Sequence, residues 1–263
     1  MKSLVLIKQV PNTDSPFRIN SAGTWVDESN LTYGLNDYDR YALEEALRLK
    51  DAGKATEVVA LTVGPDRASS ALRTCLATGA DRGVHVKDAA LAAADPLSVA
   101  RAIVAAVKDE GFSLVLCGLQ ADDDNYMQVG PFVARLLDRP CATAAMRLEL
   151  LDGTVRVERE LENNRLQIVD LTLPAVVTVQ TGINEPRYAS LKGIMAAKKK
   201  EIKTLSLADL KMSAAEVSAS AARFRTLRLA TPPKGKGAEM LAGPTDQIAR
   251  ELVKRIKEKT GVI

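Results

Sequence analysis

Phe112–Val129, FSLVLCGLQADDDNYMQV, decides how this chain folds. Phe112–Cys117 is a short apolar run of the kind that makes a strand buried on both faces. Behind it, Tyr126, Val129, Val133, Leu136 and Leu137 recur at helical spacing. The residues between form a strand-to-helix turn, and in an open parallel sheet such turns line the ligand crevice at the carboxyl ends of the strands. Gly118 lets the backbone approach a ligand closely. Amides that open the next helix hold a phosphate without any lysine. Asp122, Asp123 and Asp124 would repel a phosphate set against them. They are expected instead to cap the helix or to accept hydrogen bonds from ribose hydroxyls. A solvated acidic loop with a good N-cap accounts for the same residues.

Upstream, strands and helices alternate. Leu4–Ile7 is the first strand, with Lys8–Asn12 as its exit turn. Phe17–Asn20 and Thr24–Asp27 alternate apolar and polar residues around Ser21-Ala22-Gly23, which predicts a hairpin with Trp25 covering the edge of the core. Asn36 and Asp37 are N-cap types before a helix to Lys50, whose buried stripe is Ala42, Leu43, Ala46, Leu47 and Leu49. Glu57–Val63 is the second strand. Asp66 is expected to cap the helix after it, and Gly79 to close that helix. Gly83–Val86 is the third strand. Asp95-Pro96 then starts a helix with Val99, Ala100, Ile103, Val104 and Val107 on its inner face.

This alternation predicts an α/β fold: an open, mainly parallel sheet with right-handed crossovers and helices on both faces. No GxGxxG follows the first strand, and no Walker lysine follows any strand. The predicted crevice is lined by Lys8–Asn12, Asn36–Asp39, Val63–Asp66 and Gly118–Val129.

Downstream the pattern changes to hairpins. Ala142–Leu150, Thr154–Glu160, Leu166–Asp170 and Ala175–Val179 read as strands, linked by Asp152-Gly153 and Glu162-Asn163-Asn164. The lysines Lys198, Lys199 and Lys200 read as a solvated helix end. Beyond about Ser206 the chain is polar, rich in alanine and broken by proline and glycine. It closes on an amphipathic helix, Asp246–Lys259, with Ile248, Leu252, Val253 and Ile256 in one stripe. That segment has too few apolar residues for a core of its own, so it is expected to lie on the main domain or on a partner.

The totals exclude several classes. The chain has 263 residues and a net charge of +3, from 36 basic and 33 acidic side chains, which is too small a charge to argue for nucleic acid or an anionic membrane. No apolar run approaches the ~20 residues a spanning helix needs. MKSLVLIKQVPNTD at the N-terminus reads as a strand and not a signal sequence. Cys75, Cys117 and Cys141 are odd in number and sit among apolar neighbours, which predicts buried thiols in a reducing compartment. His85, the single histidine, is expected to be packed or at the surface. Zinc, Ser-His-Asp and Cys-His chemistry therefore lack their parts.

Several fragments, in order, resemble the beta subunit of electron transfer flavoprotein. They are Asn36–Lys50 (NDYDRYALEEALRLK), Thr78–Val86 (TGADRGVHV), Leu116–Gly130 (LCGLQADDDNYMQVG), Leu173–Val177 (LPAVV) and Asn184–Leu191 (NEPRYASL) with Ile194-Met195 and the lysine run. The resemblance spans nearly the whole chain. It implies a heterodimer with an alpha subunit that holds most of the electron-carrying FAD. It implies a Rossmann-like domain, similar to the adenine nucleotide alpha hydrolases, over residues 1–205, and an arm over 206–263 that embraces the alpha subunit. It implies AMP as a structural ligand at Leu6, Asn36, Asp37, Tyr38, Asp39 and Val63. The same ligand would meet Gly118, Leu119, Gln120, Ala121, Asp122, Asp123, Asp124, Asn125, Tyr126, Met127, Gln128 and Val129.

The resemblance also implies a loop that docks on flavin-dependent, acyl-CoA-type dehydrogenases. It comprises Arg187, Tyr188, Ala189, Ser190, Leu191, Lys192, Gly193, Ile194, Met195 and Ala196, with Leu191 as apolar anchor. Electrons would pass on toward a quinone oxidoreductase, with no catalytic residue in this chain. A bacterial cytoplasm is the expected location, since a mitochondrial-matrix protein would need a presequence. The family often has proline where Asp37 follows Asn36. Asp39 and Tyr41 match electron-bifurcating members, in which a second FAD replaces AMP and takes a hydride from NADH. The acidic run Asp122–Asp124 matches AMP-binding members, so both ligands stand. An ATP-consuming hydrolase or ligase is disfavoured, because the phosphate turn holds no lysine or arginine.

Overall fold

Leu4 and Leu6 bury themselves on one side of the first strand and Val5 and Ile7 on the other, so that strand lies inside a two-faced sheet. The computed structural model describes residues 1–224, 226–233, 235 and 237–261. In chain order the elements are β1 (Lys2–Leu6), β2 (Gln9–Pro11), β3 (Tyr33–Leu35), α1 (Asp37–Asp51), β4 (Glu57–Val63), α2 (Ser69–Thr78), β5 (Arg82–Val86) and α3 (Pro96–Val107). They continue with β6 (Leu114–Gly118), α4 (Val129–Leu136), β7 (Cys141–Leu150), β8 (Thr154–Leu161), β9 (Arg165–Thr172), β10 (Ala175–Val179), α5 (Leu191–Ala197), β11 (Ile202–Leu205) and α6 (Thr245–Thr260).

The main sheet runs β11-β5-β4-β1-β6-β10-β7-β8-β9. From β11 to β7 all neighbours are parallel, and β8 and β9 add an antiparallel meander. Leu43 and Leu47 of α1 and Leu72 and Leu76 of α2 fill one face; Ile103 and Val107 of α3 and Val133 of α4 fill the other. The chain steps from β1 through β4 to β5 on one side and returns to β6 on the other. The switch of direction therefore falls between β1 and β6, and their carboxyl ends form the crevice.

Some expectations are corrected. The segment over residues 17–27 turns back on itself through a single bridge, Ile19 with Val26, and forms no regular strands. Trp25 covers no core edge: it is 46 % exposed, and its ring N–H donates to Glu28. Asp66 does not cap α2; it pairs with Lys87. Tyr126 precedes α4 and, like Leu136, is exposed, so the predicted helical stripe is shorter. Cys75 and Cys117 are buried free thiols, while Cys141 is half-buried. His85 is packed, with Nε2 2.9 Å from the Gly64 carbonyl oxygen.

Two pairings escaped the sequence. β2 pairs with β3, and β11 adds an edge strand beside β5. The chain after Ser206 first packs on the main domain, where Leu207 and Val217 are buried with Val86, Leu91 and Ala102. Further on, α6 buries no residue: Leu252, Val253 and Ile256 are exposed on this chain. Among the described residues no helix is long and apolar enough to cross a membrane.

Candidate functional site

Asp39 ties the crevice together. It is buried in the first turn of α1, where it accepts from the Lys8 amide (2.8 Å) with one carboxylate oxygen and from the Gly118 amide (2.9 Å) with the other. It thus joins the exits of β1 and β6. Burial pushes its carboxyl up to about 7, against the two amides, Asn36 and Lys8, which favour the charged form. Gly118 is required for the same closeness. A Cβ there would stand 2.5 Å from Tyr38 Cβ and 2.6 Å from Asp39 Oδ1. The backbone that Gly118 brings near is therefore α1.

Asn36 precedes α1 without capping it. Its amide donates to the Gln120 carbonyl (2.9 Å), and its side-chain oxygen accepts from the Asp122 amide (3.0 Å). Asp122 answers by accepting from the Asp37 amide (3.1 Å), which satisfies the start of α1. Gln120 reaches the Tyr38 hydroxyl at 3.3 Å. Two chain segments about eighty residues apart are thus laced by reciprocal bonds, which ordinary capping of α1 would not produce.

The acidic run does not cap α4. That helix starts at Val129, and Gln128 before it makes no side-chain cap. Asp123 and Asp124 both grip the Lys8 ammonium, at 2.7 and 2.8 Å. Burial acts to lower the lysine pKa, but the two carboxylates outweigh it and the net shift is upward. Asp124 also accepts from the Tyr126 amide. Two non-glycine residues of the turn, Asn125 (φ 54°) and Met127 (φ 56°), take left-handed backbone conformations, a strain that recurs at ligand-holding turns. Tyr126 packs edge-on against Phe224 of the arm, with ring centroids 5.0 Å apart.

The crevice therefore brings together Leu6, Asn36–Asp39 and Gly118–Asp124, with Val63 at the end of the neighbouring strand β4. Lys8 is the charge that sequence reasoning left unassigned. Its signal was present, as a lysine just past a central strand in a fold whose next turn carries three aspartates. Lys8 balances one of these three carboxylate charges, so a nucleotide phosphate in the crevice would have to be met by backbone amides.

The second candidate segment is built oppositely. Asn184 donates to the Tyr41 carbonyl and to Glu45, both at 3.0 Å. The Arg187 guanidinium turns back onto α1, bidentate on Glu44 (2.8 and 3.0 Å) and 2.7 Å from Asp51. These hydrogen bonds hold its pKa above the ordinary arginine range. Ser190 caps α5 by accepting from the Gly193 amide. Gly193 lies so close to α2 that a Cβ would collide with the Ala77 carbonyl.

At the far end Lys200 donates to the Leu76 and Ala80 carbonyls, while Arg73 of α2 donates to the Ala197 and Lys200 carbonyls. Lys200 is thus a capping donor and not a solvated helix end, and burial lowers its pKa. Between these clamps Tyr188, Leu191, Ile194 and Met195 are exposed, Leu191 at 84 %. A separate groove of about 550 Å³, lined in part by Glu45, Met146, Leu148, Leu166 and Ile183, includes no crevice residue.

The architecture is a mainly parallel α/β sheet with a crevice at β1/β6 and a clamped, exposed apolar segment after its last buried strand. Residues 23–210 match the model of the electron transfer flavoprotein domain. Over 264 aligned residues the chain is 40 % identical to the electron transfer flavoprotein subunit beta of Methylophilus methylotrophus, covering 99 % of this chain and all of that one. The subunit beta of Bacillus subtilis is 35 % identical over the full length of both. That of Bos taurus is 35 % identical over 98 % of this chain and 97 % of its own. The chain belongs to the electron transfer flavoprotein family, as a beta subunit, and a beta subunit has an alpha subunit as its partner.

Proposed function

We propose that this beta subunit forms, with its alpha subunit, a heterodimer that takes electrons from flavin-dependent, acyl-CoA-type dehydrogenases in the bacterial cytoplasm and delivers them toward a quinone oxidoreductase. The observation that carries it is the apolar face at Tyr188, Leu191 and Met195, which is exposed yet rigidly mounted. An exposed apolar cluster rimmed by polar residues marks a protein-docking site. The electron carrier would be an FAD held mainly by the alpha subunit. This chain supplies the docking face and contributes no catalytic residue. The exposed stripe of α6 would lie on the alpha subunit.

In the crevice, AMP is the favoured ligand, and its role is structural. Turn amides and Gln128 would hold its phosphate. Asp39, which counted toward a second FAD, accepts from the Lys8 and Gly118 amides, a structural role open to either ligand, and the acidic run Asp122–Asp124 favours AMP. Ligands extracted from the purified heterodimer and identified by mass test this directly. One FAD with one AMP supports the carrier; two FAD and no AMP would replace it with a flavin site that oxidises NADH.

A further inference from the structure

We propose that Glu44 is a positioning residue for docking: through Arg187 it fixes the face that meets the electron donor. This rests on the docking function assigned above to Tyr188–Met195. Glu44 lies on α1 and is buried, yet it is charged. A buried carboxylate persists only when paired and hydrogen-bonded. Its partner is Arg187, whose Nε and Nη2 both donate to it (2.8 and 3.0 Å), and Glu44 accepts from the Arg187 backbone amide as well (3.2 Å). One carboxylate therefore fixes both the side chain and the main chain one residue before the exposed Tyr188. Arg48 approaches the same carboxylate at 4.0 Å, and Asp51 accepts from the same Nη2 of Arg187 at 2.7 Å.

The consequence is an altered role for Arg187. Arg187 commits its Nε and Nη2 to two carboxylates of its own chain. It acts as the peg of the segment, and contact with the donor falls to Tyr188, Leu191 and Met195. Without the peg, the face would have to be ordered at the moment of docking. Ordering at that moment costs affinity without altering what happens once the complex has formed. The effect therefore belongs in KM for the donor protein and not in kcat.

The test uses the intact heterodimer and a reduced flavin-dependent dehydrogenase, with variants Glu44→Gln, Arg187→Gln and Leu191→Ala, alone and paired. Glu44→Gln and Arg187→Gln are expected to raise KM for the dehydrogenase about fivefold, with kcat, flavin content and flavin potential unchanged. Adding Leu191→Ala to Glu44→Gln should give less than the product of the two single effects, because both act through one face. Hydrogen exchange at Tyr188–Met195 should quicken in both peg variants.

Unchanged KM in both folded peg variants, with Leu191→Ala impaired, overturns the proposal and leaves the docking function standing. No effect of Leu191→Ala overturns that function itself. Strictly multiplicative effects in the pair, or loss of flavin and fold in both peg variants, also overturn the proposal, since the clamp would then serve the fold alone.

Discussion

In the crevice, Asn36 spends both ends of its amide on Gln120 and Asp122, Asp39 holds two amides, and Lys8 is divided between Asp123 and Asp124. In the segment from Tyr188 to Met195 the bonds to the rest of the domain are made mainly beyond its ends, and tyrosine, leucine, isoleucine and methionine face solvent between them. Both regions hang on α1, the crevice on its first turn and the docking segment on its middle. Under the proposed function, the difference teaches how one helix could serve two tasks. A pocket for a small polar ligand is made by fixing donors in advance. A face for a protein is made by fixing the frame and leaving apolar area uncovered, to be removed from water on contact.

The crevice is the more fragile of the two, and the largest effect is expected there. Gly118→Val drives a side chain into Tyr38 and Asp39. Overpacking of this kind costs about 3 kcal/mol when backbone must move. The variant should lose that much stability in urea unfolding and purify with its nucleotide depleted. Wild-type stability and stoichiometry would show that α1 yields without cost. The docking segment should be indifferent to the change in any protein that remains folded.

A smaller effect isolates Asp39. Its folded carboxyl titrates at about 7, against ~3.9 in an unfolded chain. The folded state therefore binds the proton more tightly. The stability this gives is fully present below about pH 4 and is lost as pH rises through about 7. Asp39→Asn removes the group, so the stability advantage of wild type over the variant should be greater at pH 5 than at pH 8. An equal advantage at both would mean that Asp39 has the same pKa folded and unfolded.

The arm should have the least influence on either region. Deleting residues 246–263 removes the exposed stripe of α6. Heterodimer affinity, measured by analytical ultracentrifugation, should fall severalfold while the thermal midpoint of this chain stays within a few degrees. Unchanged affinity would remove α6 from the subunit interface.

The sheet was legible because its central strands are short apolar runs, β4 and β6 closed by Gly64 and Gly118, and period alone separates them from the helices. The hairpins were legible from Gly153, Asn163 and Asn164, which take positive φ as their residue types allow. The turns at the carboxyl ends of β1 and β6 followed from strand ends. What escaped was pairwise. No sequence period tells that Asp122 serves the start of α1 and not α4, or that Lys8 finds Asp123 and Asp124 across 115 and 116 residues. Likewise Lys200 reads as a solvated helix end, because its partners are helix-end carbonyls of Leu76 and Ala80 that only the fold brings near. Strands β2, β3 and β11 escaped for a simpler reason: three or four residues are too few to show a period.

The central claim is that the clamped apolar face, and not the crevice, delivers electrons into this protein. Stopped-flow reduction of the heterodimer by a reduced acyl-CoA-type dehydrogenase, with wild type against Leu191→Ala, tests it most directly. An apolar anchor at the centre of an interface carries ~2 kcal/mol or more. Electron acceptance at subsaturating dehydrogenase should therefore fall roughly tenfold or more, since ~1.4 kcal/mol is a factor of ten. Flavin content, nucleotide content, unfolding midpoint and reduction by dithionite should all match wild type. Acceptance from the dehydrogenase at the wild-type rate would contradict the account.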